Sequence, residues 1–261
     1  MLPPDETIEW LWPALDWALE EVLEPDALFS RTEWLTPTWE CFPVDRGLEG
    51  DALVQDYFGF VQEHAGTSEA DWRFELVARE PASPAKILEG MPHHMTGPVR
   101  GGGLVSAPGG GLPIHYAPGL ERDPEMLVAV LSRGVAHWVC APASEPPGGA
   151  ECFDYAVDLV WVLLGFGVFA CNVSFRTKSY ESGGMVGWSQ QRFGTLDQAS
   201  LTYCVALHAE LLGLDPSEVR EHLNPNSRSW IVSARKDLLR SHRHKLDALR
   251  ARRHVLGPYR H

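Results

Sequence analysis

Apolar residues along this chain fall into helical and strand periods that change in a definite order. Over 5–24, DETIEWLWPALDWALEEVLE sets Trp and Leu at helical spacing and predicts a first helix, with Pro13 as a kink or an early boundary. EGDALVQDYFGFVQEHA at 49–65 predicts a second helix. The period then shortens, and Phe74, Leu76 and Ala78 alternate with Arg73 and Glu75, so 72–79 reads as a strand. Residues 81–111 are rich in Gly and Pro and read as connecting loops. Short strands at 103–106 and 112–116 are expected to form a hairpin turned by PGGG.

From 123 onward the pattern is helical. Asp123-Pro124-Glu125 is a start signal: an N-cap acid, proline at the first helical position and an acid in the first turn. The helix it opens reaches Cys140, and a second apolar helix covers 151–173. RTKSYESGGMVGWSQQRFG reads as a loop leading to a third helix at 196–212, opened by Thr195 and closed by Gly213. Asp215-Pro216 is expected to cap a short fourth helix, and Asn226 a long fifth one that runs into the tail.

This order of elements predicts an α+β fold in which a small, mostly antiparallel sheet packs on a mainly helical C-terminal half. Its expected parts are an N-terminal α/β portion at 1–80, connecting loops at 81–111, a helical core at 112–240 and a basic helix end and tail at 241–261. AVDLVWVLLGFGVFACNV is long enough to suggest a membrane span, but it carries Asp158 and lacks basic flanks, so a buried core helix is expected. The N-terminus has neither the basic nor the apolar region of a signal peptide.

Composition adds three constraints. Five cysteines without a C-x-x-C pair fit reduced thiols in a cytoplasmic protein better than a disulfide framework. The net charge of −13 is split: residues 235–261 carry nine Lys/Arg against Asp237 and Asp247, which is +7 and leaves −20 elsewhere. An acidic body argues against general nucleic-acid binding. The tail keeps Leu239, Leu246 and Leu249 at helical spacing, and its Arg250, Arg252 and Arg253 are the candidates for an anion contact.

The chemistry concentrates in LVAVLSRGVAHWVC, residues 127–140. Only Ser132, Arg133 and His137 carry polar side chains over 126–140, so this helix must be buried on most sides. Arg133 and His137 are one turn apart on one face. Arginine stays protonated, and burying it unpaired is costly, so it requires a carboxylate. Asp158, the only charged residue between Asp154 and Arg176, is the expected partner. His137 reads as a core histidine, as a member of a trio with Arg133 and Asp158, or as a metal ligand joined by Asp158 and by Cys140 or Cys152. The His93-His94 pair reads as surface and His208 as core, and no G-x-S-x-G motif is present.

The first helix, the second reading DLVWVLLGFGVF, then GWSQQRFGTLDQASLTYCVALHAELLG and HLNPNSRSW are together similar to a family of uncharacterised bacterial zincin-like proteins. Members show H-E-L-A-H on the first helix and T-D-L at the start of the second. The resemblance covers about 112–240 and extends more weakly over 36–80. It implies a minimal-zincin architecture and places the second histidine at His137 and the T-D-L aspartate at Asp158. Arg133 stands where the first histidine would be, and Gly134 where the glutamate would be. A catalytic zinc takes three protein ligands and a water, with that glutamate as base. The resemblance therefore implies a degenerate site, and the expected function is that of a catalytically inactive protein, a pseudoenzyme, without a cofactor that binds an unidentified protein partner. The alternatives are a zinc hydrolase with a rebuilt site and an anion or nucleic-acid binder acting through the tail.

Overall fold

A computed structural model describes residues 1–23, 28, 34–68, 73–79, 111–182 and 185–255, without the side chains of 177–191 and 252–255. Helix α1 spans Asp5–Trp17 and continues as a wider π-helical turn over Ala18–Val22. It passes through Pro13 without ending there. Pro13 and Glu9 both lie on the exposed face, so the carbonyl that Pro13 leaves without a donor is open to solvent. Helix α2 spans Gly50–Ala65. Strand β1 (Phe74–Ala78) pairs with β2 (Leu112–Tyr116).

The β1–β2 pair is parallel, with Phe74 opposite Leu112 and Ala78 opposite Tyr116, which corrects the expectation of an antiparallel sheet against the helices. Residues 79–111 are far longer than the roughly dozen residues that a crossover needs, so chain length permits parallel pairing. Strand 112–116 takes 74–78 as its partner, and the expected strand 103–106, the PGGG turn and the other glycine-rich loops lie outside the described residues.

Helix α3 (Pro124–Cys140) starts as the sequence predicts, with the Asp123 side chain accepting from the Met126 amide. The apolar run that follows is α4 (Phe153–Trp161), a π turn over Val162–Phe166 that breaks at Gly165 (φ 99°), and α5 (Gly167–Val173). The helical stretch Ala150–Val173 has the length and hydropathy of a membrane span, yet 89% of its apolar window is buried inside the fold. The segment read as a loop is an antiparallel hairpin, β3 (Phe175–Ser182) and β4 (Met185–Arg192). The missed signal is Gly183-Gly184 between two strand-forming runs.

Helix α6 (Gln198–Leu212) is capped by Asp197, whose carboxylate accepts from Ser200 N, rather than by Thr195. Asp215 organises a turn and a short 3-10 segment at Arg220–His222 in place of the expected fourth helix. Helix α7 (Pro225–Ser241) is capped by Asn224 rather than Asn226, and α8 (Arg243–Val255) follows after a break at His242. In each case the cap is the polar residue that directly precedes the first helical residue.

Helix α3 lies at the centre. Fourteen of its seventeen residues are buried, between α2, α4, α5 and β2. Trp138 Nε1 donates to the Pro113 carbonyl (2.9 Å), fixing α3 to β2. Trp161 Nε1 donates to Ser132 Oγ (2.7 Å), and that hydroxyl donates to the Val128 carbonyl (2.6 Å), so the α3–α4 contact buries no unpaired hydroxyl. The basic tail is tied to the acidic body. Arg235 and Arg250 both bind the buried Glu210 of α6, Lys245 reaches Glu9, and Leu246 and Leu249 are buried beneath them.

Candidate functional site

Arg133 and Asp158 meet, as the two lone opposite charges predict. Arg133 Nε donates to Asp158 Oδ1 at 2.7 Å, with the carboxylate fully buried and the arginine side chain 17% exposed. Asp158 Oδ2 accepts from the amides of Thr195 (2.6 Å) and Leu196 (2.8 Å). Arg133 Nη2 also reaches Thr195 Oγ1 at 3.4 Å, and the guanidinium lies 5.9 Å from the Phe193 ring centroid. One carboxylate thus ties together α3, α4 and the connector that leads from β4 into α6.

That connector was absent from the sequence-based site. It approaches Asp158 because residue 194 is glycine: φ is 89°, and a Cβ there would lie 3.1 Å from Asp158 Oδ2. The available signal was the glycine of F-G-T-L just before the α6 cap. Pattern alone does not say which carboxylate two backbone amides will meet.

Gly134 has a separate role. A Cβ at this position would lie 2.8 Å from Ile114 Cγ2, so the missing side chain lets α3 sit close on β2. Ile114 is 1% exposed and has little room to yield. A glutamate stem at 134 would meet packed hydrocarbon first.

His137 is 5% exposed, its ring edge-to-face with Trp138 and Phe153 at centroid distances of 5.8 and 5.4 Å. Among the described residues its Nε2 has no hydrogen-bond partner. Burial, and then the neighbouring Arg133 charge, hold its pKa down to about 4 from 6.5. His137 is therefore a neutral imidazole in an aromatic setting. Cys140 is wholly buried, and that burial pushes its thiol pKa up.

The zinc of the alternative reading, a rebuilt hydrolase site, does not fit these residues. Both Asp158 oxygens already accept hydrogen bonds, from one guanidinium and two amides. Among the described residues no three His, Cys, Asp or Glu side chains converge as metal ligands, so Cys140 and Cys152 do not complete a set with His137 and Asp158. His93-His94 lies outside the described residues. His208 is buried against Trp34, the core position expected of it.

The anion candidates divide in the same way. Arg250 donates to both the carboxylate and the carbonyl of Glu210, so it is engaged within the fold. The side chains of Arg252 and Arg253 lie outside the described residues.

The structure also forms a cleft of about 380 Å³ beside this centre, between α1, the start of α4 and the connector into α6. Thr195 and Leu196, whose amides hold Asp158, line it. Comparison of the chain with protein-family models, with curated proteins and with solved structures finds no match.

Proposed function

We propose that the protein is a zincin-like pseudoenzyme that works by binding rather than by catalysis, in the cytosol of a bacterium. The reading is supported by the guanidinium of Arg133 seated on Asp158, where the resemblance puts a metal-side carboxylate. A fixed cation there neutralises the aspartate and holds two helices and a connector in register, leaving the carboxylate no free oxygen for an ion. Gly134 fits the same reading, because a catalytic base at that position is replaced by close helix–strand packing. All five cysteines are free thiols, which suits a reducing compartment.

The test is zinc stoichiometry of the untagged protein after exposure to excess zinc and dialysis, alongside hydrolysis of a mixed peptide library. The expected result is far less than one zinc per chain and an intact library. One zinc per chain that is lost on His137→Leu, together with cleaved peptides, would overturn the proposal in favour of a rebuilt metallohydrolase.

A further inference from the structure

The cleft beside the Arg133–Asp158 centre presents unpaired groups of both signs from different elements. Helix α1 contributes Glu6, and the end of β4 contributes Arg192; neither forms an ion pair among the described residues. Ser200, in the first turn of α6, also lines the cleft. It is 2% exposed, and its hydroxyl has no hydrogen-bond partner among the described residues although its amide is capped by Asp197. A hydroxyl that lines a cavity without a protein partner can take a ligand or a water.

The apolar part of the lining is aromatic. Trp10 and Tyr155 stand edge-to-face at 6.2 Å, and Trp10 Nε1 is already committed to the Pro147 carbonyl at 2.7 Å. Its ring therefore offers surface rather than a donor. Tyr155 is 41% exposed, so its ring also presents surface to the cleft. The cleft's volume of about 380 Å³ lies in the range of small-molecule sites.

From these groups we infer that the cleft binds a free α-amino acid with a large apolar side chain, as its zwitterion. Arg192 and the Ser200 hydroxyl take the carboxylate. Glu6, with the second oxygen of Asp197, takes the ammonium, and the side chain lies on Trp10 and Tyr155. An anion alone would use Arg192 but not Glu6, and a cation alone would use Glu6 but not Arg192. The zwitterion satisfies both signs and uses the aromatic surface. This inference rests on the proposal that the protein acts by binding.

Titration of the full chain with L-phenylalanine, read by calorimetry and saturation-transfer NMR, tests the inference. N-acetyl-L-phenylalanine lacks the ammonium and L-phenylalaninamide lacks the carboxylate. Each is expected to bind about tenfold or more weakly, the scale of one charge-assisted hydrogen bond. Arg192 and Glu6 are exposed, so their substitutions leave the core intact. Arg192→Gln should abolish the preference for phenylalanine over its amide. Glu6→Gln should abolish the preference over the acetylated form. A Phe-Leu dipeptide run alongside distinguishes a peptide from a free amino acid as the source of the two ends, and tighter binding of the dipeptide would overturn the free amino acid.

No saturable binding of phenylalanine at concentrations on the order of 10 mM, or binding that both variants leave unchanged, would overturn the cleft assignment and leave the non-catalytic reading intact. Recovery of the probes by mass spectrometry separates the two failures. A hydrolysed dipeptide would overturn the non-catalytic reading, whereas unhydrolysed probes that do not bind overturn the cleft assignment alone.

Discussion

Replacing Arg133 with methionine isolates the centre of the fold. Arg133→Met keeps the length of the side chain and removes the cation, leaving the fully buried Asp158 without its charged partner. Breaking a buried ion pair from one side costs about 3–5 kcal/mol. Two features place the expected loss near 3 kcal/mol: Asp158 retains the Thr195 and Leu196 amides as donors, and Arg133 is 17% exposed, so part of the pair was already in contact with water. For a chain of this size that corresponds to a fall of roughly 6–12 °C in Tm. Equilibrium urea denaturation at neutral pH, fitted with an unchanged m value, is the assay. Arg133→Lys should fall between, because a lysine restores the charge without the planar donor at Nε. In a double-mutant cycle with Asp158→Asn, most of the Arg133→Met loss should disappear once the aspartate has been neutralised. An unchanged midpoint for Arg133→Met, or full additivity in the cycle, would refute the argument that this pair holds the helices.

His137 should make stability depend on pH. Its folded pKa of about 4 lies below the usual 6.5, so the unfolded chain binds the proton more readily: the group costs nothing above about pH 6.5 and penalises folding progressively as pH falls towards 4. The penalty approaches about 3 kcal/mol, and urea midpoints measured across that window should fall more steeply for the native chain than for His137→Leu. Gly134→Ala should destabilise by about 1–3 kcal/mol despite alanine's better helix propensity, since its methyl group meets Ile114, and in a double-mutant cycle by chemical denaturation it should cost less in an Ile114→Ala background than in the native chain. Glu210→Gln removes the shared acceptor of Arg235 and Arg250 and should cost about 1–3 kcal/mol, with faster limited proteolysis near His242 where α7 gives way to α8.

Much of the molecule follows from the order of residues alone. The α3 boundaries are local facts: Asp123 caps the Met126 amide, Pro124 takes the first position, and apolar residues fill the length that follows. The burial of 150–173 follows from its composition, and the pairing of Arg133 with Asp158 from a count, because two lone opposite charges in apolar helices have no other partner that avoids desolvation. What the order of residues leaves open is which distant segments meet. A strand does not carry its partner's direction in its own alternation, so the parallel pairing of β1 with β2 is decided only in the tertiary structure. The two amides that share Asp158 come from a turn 37 and 38 residues away, admitted by Gly194, and no side-chain pattern encodes a backbone donor. The cleft is the clearest case. Glu6, Tyr155, Arg192 and Ser200 are unremarkable in their own segments, and they become one chemical environment only because α1, α4 and α6 are packed side by side.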